Sequence, residues 1–160
     1  MRCAAASIFV ALVSICVSSP LSTAMAKGSA NSELNCLATA IYFEARGESE
    51  RGQLAVAEVI LARTESDDRP ETICGVVYEG SHRRNSCQFS FACDGRSDIA
   101  RDIKCWERAK RLAAEAMEDG DSIVHGATFF HVKNIRPRWA SRMVRVARVG
   151  SHIFYRPRRA

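Results

Sequence analysis

The run Ile41-Tyr42-Phe43-Glu44-Ala45-Arg46-Gly47-Glu48 sets two carboxyl groups close together beside aromatic rings. Carboxyl groups do acid–base work when their surroundings decide which one keeps a proton. Leu34, Leu37, Ile41 and Glu44 follow one another at helical spacing, so Glu44 continues an apolar stripe. A carboxyl on that face is buried, paired, or placed at an opening in the core. Burial disfavours its charged form and raises its pKa. A glutamic acid held partly protonated near neutrality can donate a proton to a leaving group. The structural alternative is an ion pair with Arg46 or Arg51 that pins the helix end. Glu48 lies beyond Gly47 in a loop. It reads as a second, solvated carboxylate steering the site, or as a favourable charge at the start of the next helix. Glu58, between Leu54 and Leu61 on another apolar face, is expected to pair with an arginine.

Other chemistries fit less well. His82, His125, His131 and His152 form no close pair at helical metal spacing, and no two cysteines stand as CxxC, so no metal is expected. No GxSxG elbow and no phosphate-cradling glycine loop occurs, and no cofactor is expected. The chain has 160 residues, 47% hydrophobic and 26% charged, which is one globular domain and excludes a disordered or collagen-like chain. No apolar run reaches about 18 residues, which excludes a multi-span membrane protein.

The elements that must hold Glu44 follow from patterning. Arg2, the apolar stretch from Ala4 to Val17 and the small residues ending Ala24-Met25-Ala26 have the form of a secretory signal peptide, residues 1–26. A single domain, residues 27–160, is then exported to the periplasm or cell envelope, or released, without stable membrane insertion. Of its cysteines Cys36, Cys74, Cys87, Cys93 and Cys105, at most four pair and one is left over, with the pairing open. A helix is expected from a cap at Asn31 or Ser32 to about Arg46, with Gly47 as its left-handed end. A largely apolar helix spans about Gly52 to Thr64. Ile73 to Tyr78 is a short apolar piece of unclear type. Gln88 to Ala92 alternates and reads as a strand. An unbroken strand there would hold Cys87 and Cys93 about 20 Å apart and disfavour a bridge between them. A third helix covers about Asp98 to Glu118, with Ile103, Trp106, Ala113 and Met117 inward and Asp119-Gly120 as its stop. Thr128 to Val132 is a strand, a short helix surrounds Trp139, and Val144–Val149 and His152–Tyr155 flank a Gly150-Ser151 hairpin turn. Helices first and a small antiparallel sheet late describe an α+β domain. Residues 131–160 carry nine basic and no acidic groups, which favours an anionic partner. In an exported protein the expected partner is a cell-envelope surface, with wall-peptide carboxylates or phosphates, and not nucleic acid; the alternative is a solvated edge on a small sheet, where arginines discourage aggregation.

The ordered set Cys36-Leu37-Ala38, Tyr42-x-Glu44-Ala45-Arg46-Gly47-Glu48, Gly52-Gln53-x-Ala55-Val56-Ala57, Ile73-Cys74-Gly75-Val76-Val77-Tyr78, Gln88-Phe89-Ser90-Phe91, Ala127-Thr128, His131, Trp139 and Gly150-x-His152-x-Phe154-Tyr155 resembles the SleB/CwlJ-type cell-wall hydrolases. The likeness covers nearly all of residues 33–156. Phe129 departs from it, because related sequences often carry histidine there. The resemblance implies a lysozyme-like, lytic-transglycosylase-like α+β domain. It also implies cleavage of peptidoglycan glycan strands between N-acetylmuramic acid and N-acetylglucosamine. It places the catalytic glutamate at Glu44, the residue the helical stripe selects. A transglycosylase can work with this one carboxyl, closing a 1,6-anhydro ring; a muramidase would need a second acid to hold water. Tyr42, Glu48, Gln88, Phe89, Ser90 and His131 are the expected substrate-binding residues. The competing class is a non-catalytic peptidoglycan-binding or secretion-accessory protein.

Overall fold

The computed structural model describes residues 20–83, 86–118 and 122–158. The first nineteen residues of the expected signal peptide and the Asp119-Gly120 stop lie outside them. Four α-helices precede a three-stranded antiparallel sheet: α1 (Pro20–Ala45), α2 (Glu50–Thr64), α3 (Ile73–Val77), α4 (Ile103–Glu118), β1 (Phe129–Val132), β2 (Val144–Val149) and β3 (His152–Arg156). Two 3-10 turns interrupt the order, Ser90–Cys93 and Arg138–Arg142. The sheet order is β1-β3-β2, so β3 is the central strand. This is the α+β arrangement that the patterning implies.

Helix α1 is the scaffold against which α2, α3 and α4 pack. It is already helical at Pro20, the first described residue, so the expected caps Asn31 and Ser32 lie inside it. No proline falls within residues 21–45, so nothing of that kind interrupts the helix there. Leu37, Ala38, Ile41 and Ala45 are buried along its inner face. The helix then ends in a turn, with the Glu48 N–H donating to the Ala45 carbonyl at 2.9 Å. Gly47 is not among the glycines with positive φ, so the expected left-handed end is absent. Helix α2 follows almost at once, capped by Ser49, whose hydroxyl accepts from the Gly52 N–H at 3.3 Å. Ala55, Val56, Val59 and Ile60 are fully buried, which makes α2 central to the core.

Two disulfides brace this bundle. Cys36–Cys74 joins α1 to α3, and Cys87–Cys93 closes a short loop; Cys105 is the free thiol among the described residues. The second bridge overturns the strand expected at Gln88–Ala92. The chain coils into a 3-10 turn there and brings the two Cα atoms to 6.0 Å. Phe89 and Phe91 are nonetheless both buried and Ser90 is exposed, so the alternation in the sequence records a burial pattern without a strand.

Helix α4 starts at Ile103, later than expected, because Asp102 caps it: its carboxylate accepts from the Cys105 N–H at 3.0 Å. Ala109, Leu112, Ala113 and Ala116 form its buried face. Ile103 and Met117, both expected inward, are exposed. Ile103 opens the helix beyond the packed stretch, and Met117 sits next to Ala116, about 100° around the axis from it. The hairpin forms as expected, with Gly150 at φ +54°, and the second 3-10 turn carries Trp139.

Candidate active site

Glu44 sits on the last turn of α1, where the helical stripe leaves the core and meets a groove of about 430 Å³. The other walls come from distant parts of the chain. Arg63 rises from the end of α2, Gln88, Phe89 and Ser90 come from the disulfide-closed loop, and Phe130 and His131 from β1. Beyond them, Ile135, Pro137 and Trp139 form a lip, and His152 enters from β3. Glu44 is the only carboxyl among the groove-lining residues.

Burial pushes the Glu44 carboxyl above the ordinary glutamate value, and the positive charge of Arg63 partly opposes that rise. Neither Arg46 nor Arg51 forms an ion pair with Glu44; Arg46 instead lies over the Tyr42 ring, 5.2 Å from its centroid. The pinned-helix alternative therefore loses both its partners.

Arg63 is almost wholly buried, which is unusual for arginine. Its Nε donates to the Thr128 carbonyl at 2.8 Å, and the guanidinium lies 5.4 Å from the centre of the Phe89 ring. Its buried Nη1 has no hydrogen-bond partner among the described residues. Burial and the nearby Arg69 cation lower its pKa to about 10, against the opposing pull of Glu79 and Glu44, so it keeps its charge at neutral pH.

Gln88 is held by Arg69, whose Nη1 donates to Gln88 Oε1 at 2.8 Å and to Glu79 Oε2 at 2.9 Å. The Gln88 amide nitrogen has no partner among the described residues. His131 is saturated: Nδ1–H donates to the Val132 carbonyl at 2.8 Å, and Nε2 accepts from the Tyr155 hydroxyl at 3.1 Å. It offers the groove a ring face and no free nitrogen. Val132 and Ile135 are exposed apolar residues at the lip.

Two expected substrate-binding residues stand elsewhere. Tyr42 is buried behind the groove, where its hydroxyl accepts from the Asp102 N–H at 3.1 Å, and it lines a separate pocket with Arg46 and Phe91. Glu48 is not solvated; its side chain is 15% exposed, and Oε2 accepts from the Ser151 N–H at 3.1 Å. Its other oxygen is 3.8 Å from His152 Nδ1, too far for a hydrogen bond. Burial keeps the His152 pKa low despite the opposing pull of Glu48, so that imidazole is neutral at pH 7. Glu58 has no arginine: its carboxylate accepts from the backbone N–H groups of Ile123 and Val124 and from the Ser122 hydroxyl. Phe129 lies between Arg69 and Trp139 and lines a neighbouring groove, not that of Glu44.

Residues 47–155 match the family model described as Cell Wall Hydrolase. The chain belongs to that family. Among curated relatives of this cell wall hydrolase are spore cortex-lytic enzymes of Bacillus cereus, 29% identical, and of Halalkalibacterium halodurans, 31% identical. These matches cover 82% and 79% of the chain, stretches long enough to include Glu44, which lies just before the family-model match. The chain spans only 47% and 36% of those relatives' own lengths. It is also similar to the solved catalytic domain of the germination-specific lytic transglycosylase SleB from Bacillus anthracis. That likeness has a TM-score of 0.64 and 29% identity, and covers 78% of this chain and 93% of that one. The catalytic domain of the Bacillus cereus SleB protein matches with a TM-score of 0.61 and 27% identity, over 79% of this chain and 91% of that one. The fold of this cell wall hydrolase is therefore that of the SleB catalytic domains.

The sequence pointed to Glu44, Gln88, Phe89, Ser90 and His131, and these do share one groove. It missed Arg63 and Phe130, and gave no role to Ile135, Pro137, Trp139 and His152. Arg63 carried one readable signal, as a cation close to the end of an otherwise apolar helix.

Proposed function

We propose that this cell wall hydrolase cleaves peptidoglycan glycan strands between N-acetylmuramic acid and N-acetylglucosamine as a lytic transglycosylase. The observation that carries this reading is that a single carboxyl, with its pKa raised, lines a groove of about 430 Å³. Glu44 protonates the glycosidic oxygen as the C1–O bond breaks. The N-acetyl group of the same sugar stabilises the resulting cation. The Glu44 carboxylate then takes the proton from the C6 hydroxyl, whose oxygen bonds to C1 and closes the 1,6-anhydro ring. One group thus acts first as acid and then as base, and no cofactor or attacking water enters.

Hydrolysis needs a second acid near enough to hold a water, about 6.5–9.5 Å away for inversion or about 5–5.5 Å for a covalent route. Glu48, the nearest in sequence, is engaged with the hairpin turn, which favours the anhydro route. Arg63 moderates the acid, Gln88 offers its free amide N–H to a hydroxyl or acetamido oxygen, and Trp139, Val132 and Ile135 present apolar surface. Action on the wall fits a chain exported to the periplasm or envelope, which the N-terminal pattern and the two disulfides favour.

The test is to digest isolated peptidoglycan with purified protein and weigh the soluble fragments. Anhydro-ended muropeptides are expected. Reducing ends would make it a muramidase, and binding without release would make it an accessory protein.

A further inference from the structure

Beside the Glu44 groove lies a second pocket of about 570 Å³. The two share His131, Ile135 and Pro137, so they adjoin. Lys133, Arg136 and Arg138 line the second pocket, and it has no acidic lining residue. All three cations are exposed, and none forms an ion pair among the described residues. The backbone is held at two of them: the Lys133 N–H donates to the Ser151 carbonyl at 2.7 Å, and the Arg138 carbonyl accepts from the Ser141 hydroxyl at 3.0 Å. Three unneutralised cations around one concavity make a site for an anion carrying more than one charge.

We propose that this pocket binds the carboxylates of the acidic peptide attached to muramic acid, and so makes peptide-bearing strands the preferred substrate. The inference rests on the glycan-cleaving reading above. In muramic acid the peptide hangs from the lactyl ether at C3, on the sugar next to the bond being cut. A strand seated against Glu44 therefore carries its peptide within reach of the neighbouring pocket. Mixed grooves elsewhere are less suited: the one containing Phe129 sets Glu65 and Asp68 among its arginines.

Two measurements test this. The first compares cleavage of peptide-bearing strands with strands stripped by an amidase, which keep the lactyl carboxylate but lose those of the peptide. The protein should show a KM about tenfold lower on peptide-bearing strands, and the Lys133→Gln, Arg136→Gln, Arg138→Gln triple variant should lose that preference. Equal KM values for the unsubstituted protein on the two substrates would overturn the proposal, as would a preference the triple variant keeps. The second titrates isolated stem peptide into the Glu44→Gln protein by calorimetry, so that cleavage plays no part. Binding should weaken as salt rises from about 50 to about 300 mM and vanish in the triple variant. A thermal melt confirms that the triple variant is folded, and Arg136→Glu alone provides a second charge change. Peptide that fails to bind, or binds both proteins alike, overturns the proposal, and so does charge-dependent binding of a glycerol-phosphate polymer in place of the peptide. If neither strand preparation is cut, the cleavage reading fails and the titration alone decides the pocket.

Discussion

The Glu48 carboxylate accepts a hydrogen bond from the Ser151 backbone N–H at 3.1 Å, tying the end of α1 to the β2–β3 turn 103 residues later. Gly150, the residue before Ser151, sits at φ +54°, and a Cβ there would overlap Glu48 Oε2. The turn therefore needs both a left-handed backbone and an empty side-chain position. Gly150→Ala is expected to cost about 1–3 kcal/mol from backbone strain alone, before the overlap is counted. Glu48→Ala leaves the Ser151 N–H without its partner and should cost about 1–2 kcal/mol. Chemical denaturation measures both. A Glu48→Ala protein of unchanged stability would show that the clamp contributes nothing.

Glu44→Gln should lower fragment release by about 10²–10⁴-fold, the usual range for losing a positioned proton donor. Its effect on stability has a definite sign. A carboxyl whose pKa is raised by folding contributes fully below its ordinary value of 4.5, and loses that contribution as pH rises through the folded-state value. Glutamine has no such loss. The variant should therefore melt higher than the unsubstituted protein above that folded-state pKa, and the difference should disappear in acid. Parallel melting curves at acid and alkaline pH decide this.

Arg63 opposes the upward shift of Glu44, so removing its charge should let that pKa climb further. In Arg63→Gln the alkaline limb of the kcat/KM profile should move to higher pH, while Arg63→Lys should leave it near its original place. Both variants lose the bond to the Thr128 carbonyl and should be about 1 kcal/mol less stable. The pH profile, which a purely structural role would not move in one variant alone, separates electrostatics from packing. An unshifted limb in Arg63→Gln would remove Arg63 from the site's electrostatics.

The two disulfides should fail differently. Cys36–Cys74 closes a 38-residue separation, and its removal should cost about 2–4 kcal/mol. Cys87–Cys93 closes a separation of six, so its removal should cost about 1.5 kcal/mol less. That short loop carries Gln88, Phe89 and Ser90. Cys87→Ser with Cys93→Ser should therefore raise KM for glycan strands more than it lowers Tm. Equal proportional losses in both would show that the loop is held by its buried phenylalanines alone.

The elements legible in the sequence were those governed by local chemistry. Gly150-Ser151 between β-rich runs announced the hairpin, and helical spacing from Leu34 to Glu44 brought the acid to the edge of the core. Gln88–Ala92 misled because alternation reports burial, and a six-residue disulfide loop can bury alternate residues without pairing to another strand. Glu58 and Glu48 misled because backbone N–H groups, which no sequence pattern marks, serve as their partners. Arg63 and His152 were passed over because their surroundings come from Thr128, Phe89 and Glu48, all distant in the chain.

The groove draws on residues from position 44 to position 152, so the proton donor leaves the ribosome long before its surroundings do. The raised pKa of Glu44 comes from burial, so it belongs to the assembled groove, to which β1 and β3 contribute Phe130, His131 and His152. A chain cut before residue 152 would lack His152 and the central strand to which β1 and β2 pair. Completion of the groove therefore waits on the last strand of the sheet.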